Sequence, residues 1–385
     1  MIRSCYFIGT TLAENPVPRH FVALSKELVR RGHQVIIIAP HRRSDLEDHE
    51  SNPAIYTWPS ERPTRLKDVL FLFRLIRKFH PASLIANFAA VNIMTVVGWL
   101  TRVPVRVVWY HTIADQLMQD SPVSQWKQKL LRLRKRLVYG VATHIAANSA
   151  ASARDVQNVY SVPKSKCRVF FNSLADPMRE SCFLYAPPRD GKLICVGRLF
   201  PSKGQDVLIR ALAILKTQVP FIHVDFVGEG PSLAAFQQLA RDLDVDKQCT
   251  FVGRLDHGEV LKKMAASAAT VVPSRNEAFG LVNIESMAMG TPVVASRVGG
   301  IIEIVRDGVD GFLVAQDDPK ILAEKLSALL LEPGLRQQMS LNARERFLST
   351  FEQQRLVQEQ ADWQESIVSR ERHVPKISVK YGTPS

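Results

Sequence analysis

Two carboxylates, Glu277 and Glu285, stand eight positions apart and frame Ala278, Phe279, Gly280 and Leu281, a turn that opens a helix. Glu277 is expected in the loop just before that helix and Glu285 about two turns into it. At a helix start the backbone N–H groups, here those of Phe279, Gly280 and Leu281, have no partner in a preceding turn, and negative charge is stabilised there. An anion hole of phosphate size with an acid on each side suits a nucleotide sugar, one carboxylate taking sugar hydroxyls and the other a ribose diol. The same residues also describe a capped helix with two solvated acids, so the pair gains meaning from what surrounds it.

The surroundings supply the opposite charge. The run Leu193-Ile194-Cys195-Val196-Gly197 reads as a strand that ends at its glycine, and Arg198 and Lys203 follow across a short loop before a helix over 206–216. A fixed guanidinium and ammonium stabilise a diphosphate whose negative charge grows as a bond to it breaks. Two solvated loop cations are the plainer alternative. No Asp-x-Asp pair accompanies them, and two protein cations make a divalent metal unnecessary, so neither a metal nor another cofactor is expected. Further on, a strand ends at Gly228 before a helix over 232–243, and another precedes Arg254 and a helix over 258–265.

These residues need a scaffold that brings loop tips together. Short β-branched runs such as Thr270-Val271-Val272 and Pro292-Val293-Val294 alternate with helical stretches, and Gly or Pro marks each switch. That is the pattern of βα units on a parallel sheet. With Val298-Gly299-Gly300, Glu303-Ile304-Val305, Asp307-Gly308 and Gly311-Phe312-Leu313-Val314 at their spacings, the stretch from about 192 to 330 resembles the donor-binding domain of the family 4 glycosyltransferases, retaining enzymes of the GT-B fold. The resemblance implies an α/β chain of two Rossmann-like domains with parallel sheets facing across a cleft. It implies that Arg198 and Lys203 hold the donor diphosphate, Glu277 the sugar and Glu285 the ribose. It also implies that Gly197, Gly228, Arg254 and residues 278–281 line the donor, without separating uracil from guanine. A UDP- or GDP-sugar would be the donor, and a glycan or lipid-linked hydroxyl the acceptor. A nucleotide-sugar epimerase of the same fold, or a binding protein without turnover, would present the same cleft.

The first half resembles the family more loosely. A strand over 5–8, a loop at Gly9-Thr10-Thr11, a helix over 17–31 closed by Gly32 and a strand over 34–39 make a βαβ start. Family members often carry two adjacent glycines in that first loop, near the donor phosphate; here Gly9 is followed by Thr10 and Thr11. His111 follows the apolar run Val105–Tyr110, at the carboxyl end of a strand, where open sheets bind ligands, and in many family members a histidine there touches the donor sugar or helps orient the reacting groups. A hydrogen-bonded structural histidine is the alternative. Arg19 and His20 are weaker acceptor-side candidates. His144 is expected to be buried, and Ser149 to cap a helix. The expected domains are 1–182 for the acceptor and 183–352 for the donor, with a linker over 181–189. A last helix over 353–372 crosses back to the first domain, and the polar tail 373–385 is expected to be disordered.

Composition sets further bounds. The 385 residues, 46% of them hydrophobic, suffice for two cores. Five cysteines, odd in number and without a C-x-x-C, read as reduced packing residues of a cytoplasmic protein. The first residues read as a strand, so no signal peptide is expected there. The uncharged run 82–101 reads as a buried strand and a packed helix rather than a membrane span.

Charge is uneven: residues 1–190 hold 27 Lys and Arg against 14 Asp and Glu, whereas the remainder holds 23 of each. The excess gathers in 66–80 and 125–137, both drawable as basic amphipathic helices. For 66–80 the apolar residues suit a core-facing flank; for 125–137 contact with an anionic membrane, at the inner face of the plasma membrane, is expected. No helix-turn-helix, zinc finger or RNA-binding motif accompanies the charge, so nucleic acid is not an expected partner.

Overall fold

The computed structural model describes residues 3–41, 52–114, 124–180 and 189–373. Most of the expected linker and the tail from 374 lie outside them. β1 (Cys5–Gly9), β2 (Gln34–Ala39), β3 (Ala54–Thr57), β4 (Ser83–Ala86), β5 (Val105–Tyr110), β6 (His144–Ala147) and β7 (Cys167–Val169) form one parallel sheet in the order β3-β2-β1-β4-β5-β6-β7. β8 (Arg189–Val196), β9 (His223–Val227), β10 (Cys249–Gly253), β11 (Ser267–Val272), β12 (Val293–Ser296) and β13 (Gly311–Val314) form a second, in the order β10-β9-β8-β11-β12-β13. Strands such as Gln34-Val-Ile-Ile-Ile-Ala39 are apolar along their whole length because parallel sheets are covered on both faces.

On one face of the first sheet, helices 66–79, 90–100, 125–140 and 150–160 enclose a core around Leu72, Met94, Val138 and Val156. On the other, helix Pro16–Arg30 packs beside the final helix Gln353–His373, with Phe21, Leu24, Trp363 and Ile367 sharing a second core. The final helix thus lies on the first sheet although the chain has just left the second. Arg31 fastens it, reaching Asp362 at 2.6 Å and Glu365 at 2.8 Å. Local signals set the helix ends. Asn15 precedes Pro16 at the first helical turn, Asp256 and Asp318 cap their helices through their carboxylates, and Ser149 accepts from Ser152 N–H.

In each sheet the strand order reverses once, between β1 and β4 and between β8 and β11. Loops that leave the carboxyl ends of such a pair diverge and open a crevice, where ligands bind in open α/β sheets. The loops after β8 and β11 carry Arg198, Lys203 and Glu277.

Candidate active site

Three features fix the loop after β8. Gly197 and Gly228 end adjacent strands so closely that a Cβ on Gly228 would stand 2.0 Å from Gly197 O, which gives that glycine a packing reason. Pro201–Lys203 forms a single 3-10 turn closed by Gly204, whose φ is 66° and whose added Cβ would stand 1.9 Å from Pro273 O. Arg275 then ties the loops after β8 and β11 together. Its backbone N–H donates to Ser202 O, and its guanidinium meets Asp206 in a two-pronged contact at 2.9 and 2.7 Å and Asp317 at 2.7 Å. A planar fork on a carboxylate fixes orientation as well as distance.

The result is one charged contact across 74 residues of sequence: Lys203 Nζ donates to Glu277 Oε2 at 2.6 Å, both side chains mostly buried. Glu277 is held from behind. Gly300 N–H donates to Glu277 O at 3.0 Å, and a Cβ on Gly299, at φ 50°, would stand 1.9 Å from that oxygen. The exposed Arg198 guanidinium lies 4.8 Å from the centre of the Phe200 ring, and Gln205 donates to Arg198 O at 2.9 Å. A cavity of about 50 Å³ opens beside Gly197, Lys203, Ser274 and Glu277.

Gly280, at φ 97°, turns the chain into helix Leu281–Ala288, which therefore begins four residues after Glu277, with its first N–H groups lacking partners in a preceding turn. Ala278 and Phe279 are buried; Phe279 packs against Phe171 and Phe351. Glu285 is the fifth residue of the helix, so it sits about one turn in, not two. The helix is shorter at its start than the sequence suggests because Gly280 takes a left-handed conformation and belongs to the cap.

Glu285 is buried and accepts from His257 Nε2 at 3.1 Å. That hydrogen bond is the first cause of a raised His257 pKa; burial opposes it, the Glu285 charge adds to it, Arg19 opposes and Asp256 assists. A histidine whose folded pKa is raised contributes stability that is complete below its ordinary value, 6.5, and fades as the pH rises through the higher folded value. The difference in melting temperature between the wild type and His257→Asn is therefore expected to shrink as the pH is raised from 6 to 8.5. A difference that stays level across that range would exclude the charged pair. Sequence reading missed His257; its only signal is a place just after the Asp256 cap. Arg254, the residue directly after β10, is exposed in the loop that follows.

In the first half His111 directly follows β5, at its carboxyl end as expected, with its ring beside Phe88 at 5.2 Å and Trp109 at 5.6 Å, nearly parallel to both. Its Nε2 meets Asn87 Oδ1 at 3.1 Å, and its Nδ1 is buried with no hydrogen-bond partner among the described residues. Burial, then the neighbouring His20, lowers its pKa to about 4. His111 is neutral at pH 7, able to orient a hydroxyl but not to give up a proton as an imidazolium. Asn87 and Phe88, the latter exposed at φ 50°, were not singled out by the sequence.

Other expectations change. His20 is no acceptor ligand: it is buried, with Nδ1 on Ser173 Oγ at 2.5 Å and Nε2 on Gln360 Oε1 at 2.7 Å, and burial lowers its pKa to about 4. Gly9 has a packing reason, since a Cβ there would stand 2.2 Å from Met94 Sδ; Thr10 beside it is buried. His144 is half-buried, edge-on to Trp363. Arg19 lies near enough to the His257–Glu285 pair for its charge to oppose His257 protonation.

The halves meet at the start of helix Ala150–Tyr160. Ala150 and Ala151 N–H donate to the two Glu303 oxygens at 2.7 and 2.9 Å, and Ser149 Oγ donates to Ala278 O at 2.6 Å. A carboxylate from one half thus occupies the positive end of a helix in the other.

Comparison with known proteins agrees with this fold. Residues 17–174 match the family described as Glycosyltransferase Family 4, and residues 184–346 match Glycosyl transferases group 1. The chain is 33% identical over 271 residues to a D-inositol 3-phosphate glycosyltransferase of Actinosynnema mirum, 64% of each chain. It is 40% identical over 166 residues to that of Frankia alni, 40% of each. The matches thus span less than two thirds of these relatives. Among solved structures, HepE of Anabaena in complex with UDP superposes with a TM-score of 0.74 at 20% identity, covering 94% of this chain and all of that one. Sucrose-phosphate synthase of Thermosynechococcus elongatus gives 0.74 at 21%, covering 96% and all of that chain. The two family descriptions, over residues 17–174 and 184–346, place the protein in glycosyltransferase family 4, and the two parallel sheets with a reversal in each, matched over nearly the whole chain, give it the GT-B fold.

Proposed function

We propose that this protein moves a sugar from a UDP- or GDP-sugar to a hydroxyl of a glycan or lipid-linked acceptor, with retention at the anomeric carbon, in the synthesis of cell-envelope or exopolysaccharide glycans. The observation that carries the reading is the Lys203–Glu277 contact at 2.6 Å, beside a helix N-terminus with Glu285 one turn further on. The crevice therefore offers cations and open N–H groups to a diphosphate, and carboxylates to hydroxyls on either side of it. The names of the relatives and the UDP and UDP-glucose bound to HepE point the same way.

In this reading Arg198 and Lys203 hold the diphosphate, Glu277 a sugar hydroxyl and Glu285 the ribose diol. The backbone N–H groups at 279–281 face the phosphates. The bond from the anomeric carbon to the phosphate oxygen breaks as the acceptor oxygen attacks the same face. The acceptor proton passes to the departing phosphate oxygen, whose extra charge the two cations stabilise. No enzyme nucleophile is needed, and the neutral His111 orients the reacting hydroxyls.

Calorimetric titration with a panel of UDP- and GDP-sugars, followed by product analysis with lipid-linked glycans, tests the reading. One donor that binds and yields a glycoside supports it. A changed free sugar would indicate epimerisation, and binding without turnover a sensor. No binding to any donor in the panel would sink it.

A further inference from the structure

The helix Gln125–Gly140 is amphipathic in the wrong direction for a core helix. At 100° per residue, Trp126, Leu130, Leu133 and Leu137 fall within a stripe about 60° wide. All four are exposed, at 64, 58, 55 and 65%. The side that faces the protein is the opposite one, carrying the buried Val138 and Tyr139 and the half-buried Lys135, whose Nζ lies 5.4 Å from the Tyr139 ring. Lys127 and Arg134 flank the apolar stripe on one side, Lys129 and Arg136 on the other, and the helix contains no acid.

The neighbouring helices repeat the arrangement. On Leu66–Phe79, Leu72, Leu75 and Ile76 face the core, as expected of a flank helix, while Leu66, Leu70 and Phe73 form a second, exposed stripe. Trp99 and Leu100 are exposed at the end of the helix between them. The three helices cover one face of the first sheet side by side. The first and last present rows of large apolar side chains with cations beside them, and the middle one adds Trp99 and Leu100.

From this juxtaposition we infer that the outer face of helices 66–79, 90–100 and 125–140 docks on an anionic lipid surface, with the apolar rows in the acyl boundary and the flanking cations at the headgroups. Outward leucines between cations match a helix lying in a membrane interface. No described helix is long and apolar enough to cross a bilayer. A second copy of the chain is a poor occupant, because six cations on each 125–140 helix would be brought together. Nucleic acid would accept the charge but offers nothing to the leucines. Because this helix leads from β5 to β6, it starts on the cleft side of the sheet, and docking sets the crevice beside the lipid. The inference does not need the transfer reading, and its test is indifferent to turnover.

The full chain is floated with phosphatidylcholine vesicles, with and without phosphatidylglycerol. Two variants accompany it: Leu130→Gln/Leu133→Gln/Leu137→Gln, and Lys129→Ser/Arg136→Ser. Circular dichroism of each checks that the fold persists. The wild type is expected to float with the anionic vesicles. The leucine variant should lose at least ~100-fold in partitioning, and the two-cation variant roughly 30-fold. Absence of wild-type flotation would overturn the inference, as would undiminished flotation of the leucine variant. So would a lipid-free dimer that the leucine variant abolishes, or binding to a DNA duplex in place of vesicles.

Discussion

Lys203→Ala is expected to lower turnover by roughly 10²–10³, the range for removing one preorganised group from a developing charge, measured as kcat with saturating donor and acceptor. The Lys203 ammonium is fixed before any donor arrives. Its turn is closed by Gly204 against Pro273, its loop is pinned by the Arg275–Asp206 fork, and Glu277 takes one of its hydrogens at 2.6 Å. An ammonium held in this way stabilises the departing phosphate without reorganising when the bond breaks, so its loss falls on the transition state more than on the bound donor. Removing it also leaves the mostly buried Glu277 carboxylate without this partner and facing the diphosphate. The double variant Lys203→Ala/Glu277→Gln separates the two effects. It should recover donor affinity but not turnover. If Lys203→Ala keeps kcat within about threefold of the wild type, the leaving-group role assigned to this side chain is wrong.

How far these residues were visible in the sequence depends on what physically encodes them. In the second half each strand-to-helix switch demands a residue that tolerates close approach or a left-handed backbone. Gly204, Gly280 and Gly299, all at positive φ, therefore stand out as punctuation between β-branched runs. Contacts between distant loops leave no such trace. The Arg275–Asp206 fork spans 69 positions, and neither residue breaks a pattern. His20 was attractive by residue type and early position. Its partners Ser173 and Gln360 lie 153 and 340 positions away, so only the folded chain reveals a buried, satisfied imidazole. The segment 66–80 carried enough apolar residues for two stripes on opposite sides, but composition alone does not say which side the sheet occupies. The acceptor side stays the less legible half because its candidates, His111, Asn87 and Phe88, come from strand ends whose companions are set by tertiary pairing rather than by motif.

Glu285→Ala is expected to weaken donor binding by about 1.5–3 kcal/mol, the range for hydrogen bonds to a charged group, or roughly 10- to 150-fold in Kd. Titration calorimetry with whichever nucleotide sugar binds the wild type measures it. Glu285 is buried one turn into helix Leu281–Ala288, with Oε1 already on His257 Nε2 at 3.1 Å. One carboxylate oxygen is thus engaged by His257, and in the proposed reading the other accepts from a ribose hydroxyl. Two comparisons keep the number interpretable. Glu285→Gln retains an acceptor but not the charge and should fall between the wild type and Glu285→Ala. His257→Ala removes the positioning partner and leaves the carboxylate in place, so it should weaken binding less than Glu285→Ala does. If Glu285→Ala and His257→Ala weakened binding equally, the carboxylate would be acting only through the histidine, and the ribose assignment would fall. A Glu285→Ala variant that binds donor as tightly as the wild type while keeping its fold by circular dichroism would remove Glu285 from the site altogether, and with it half of the eight-residue pair from which the chemistry was first read.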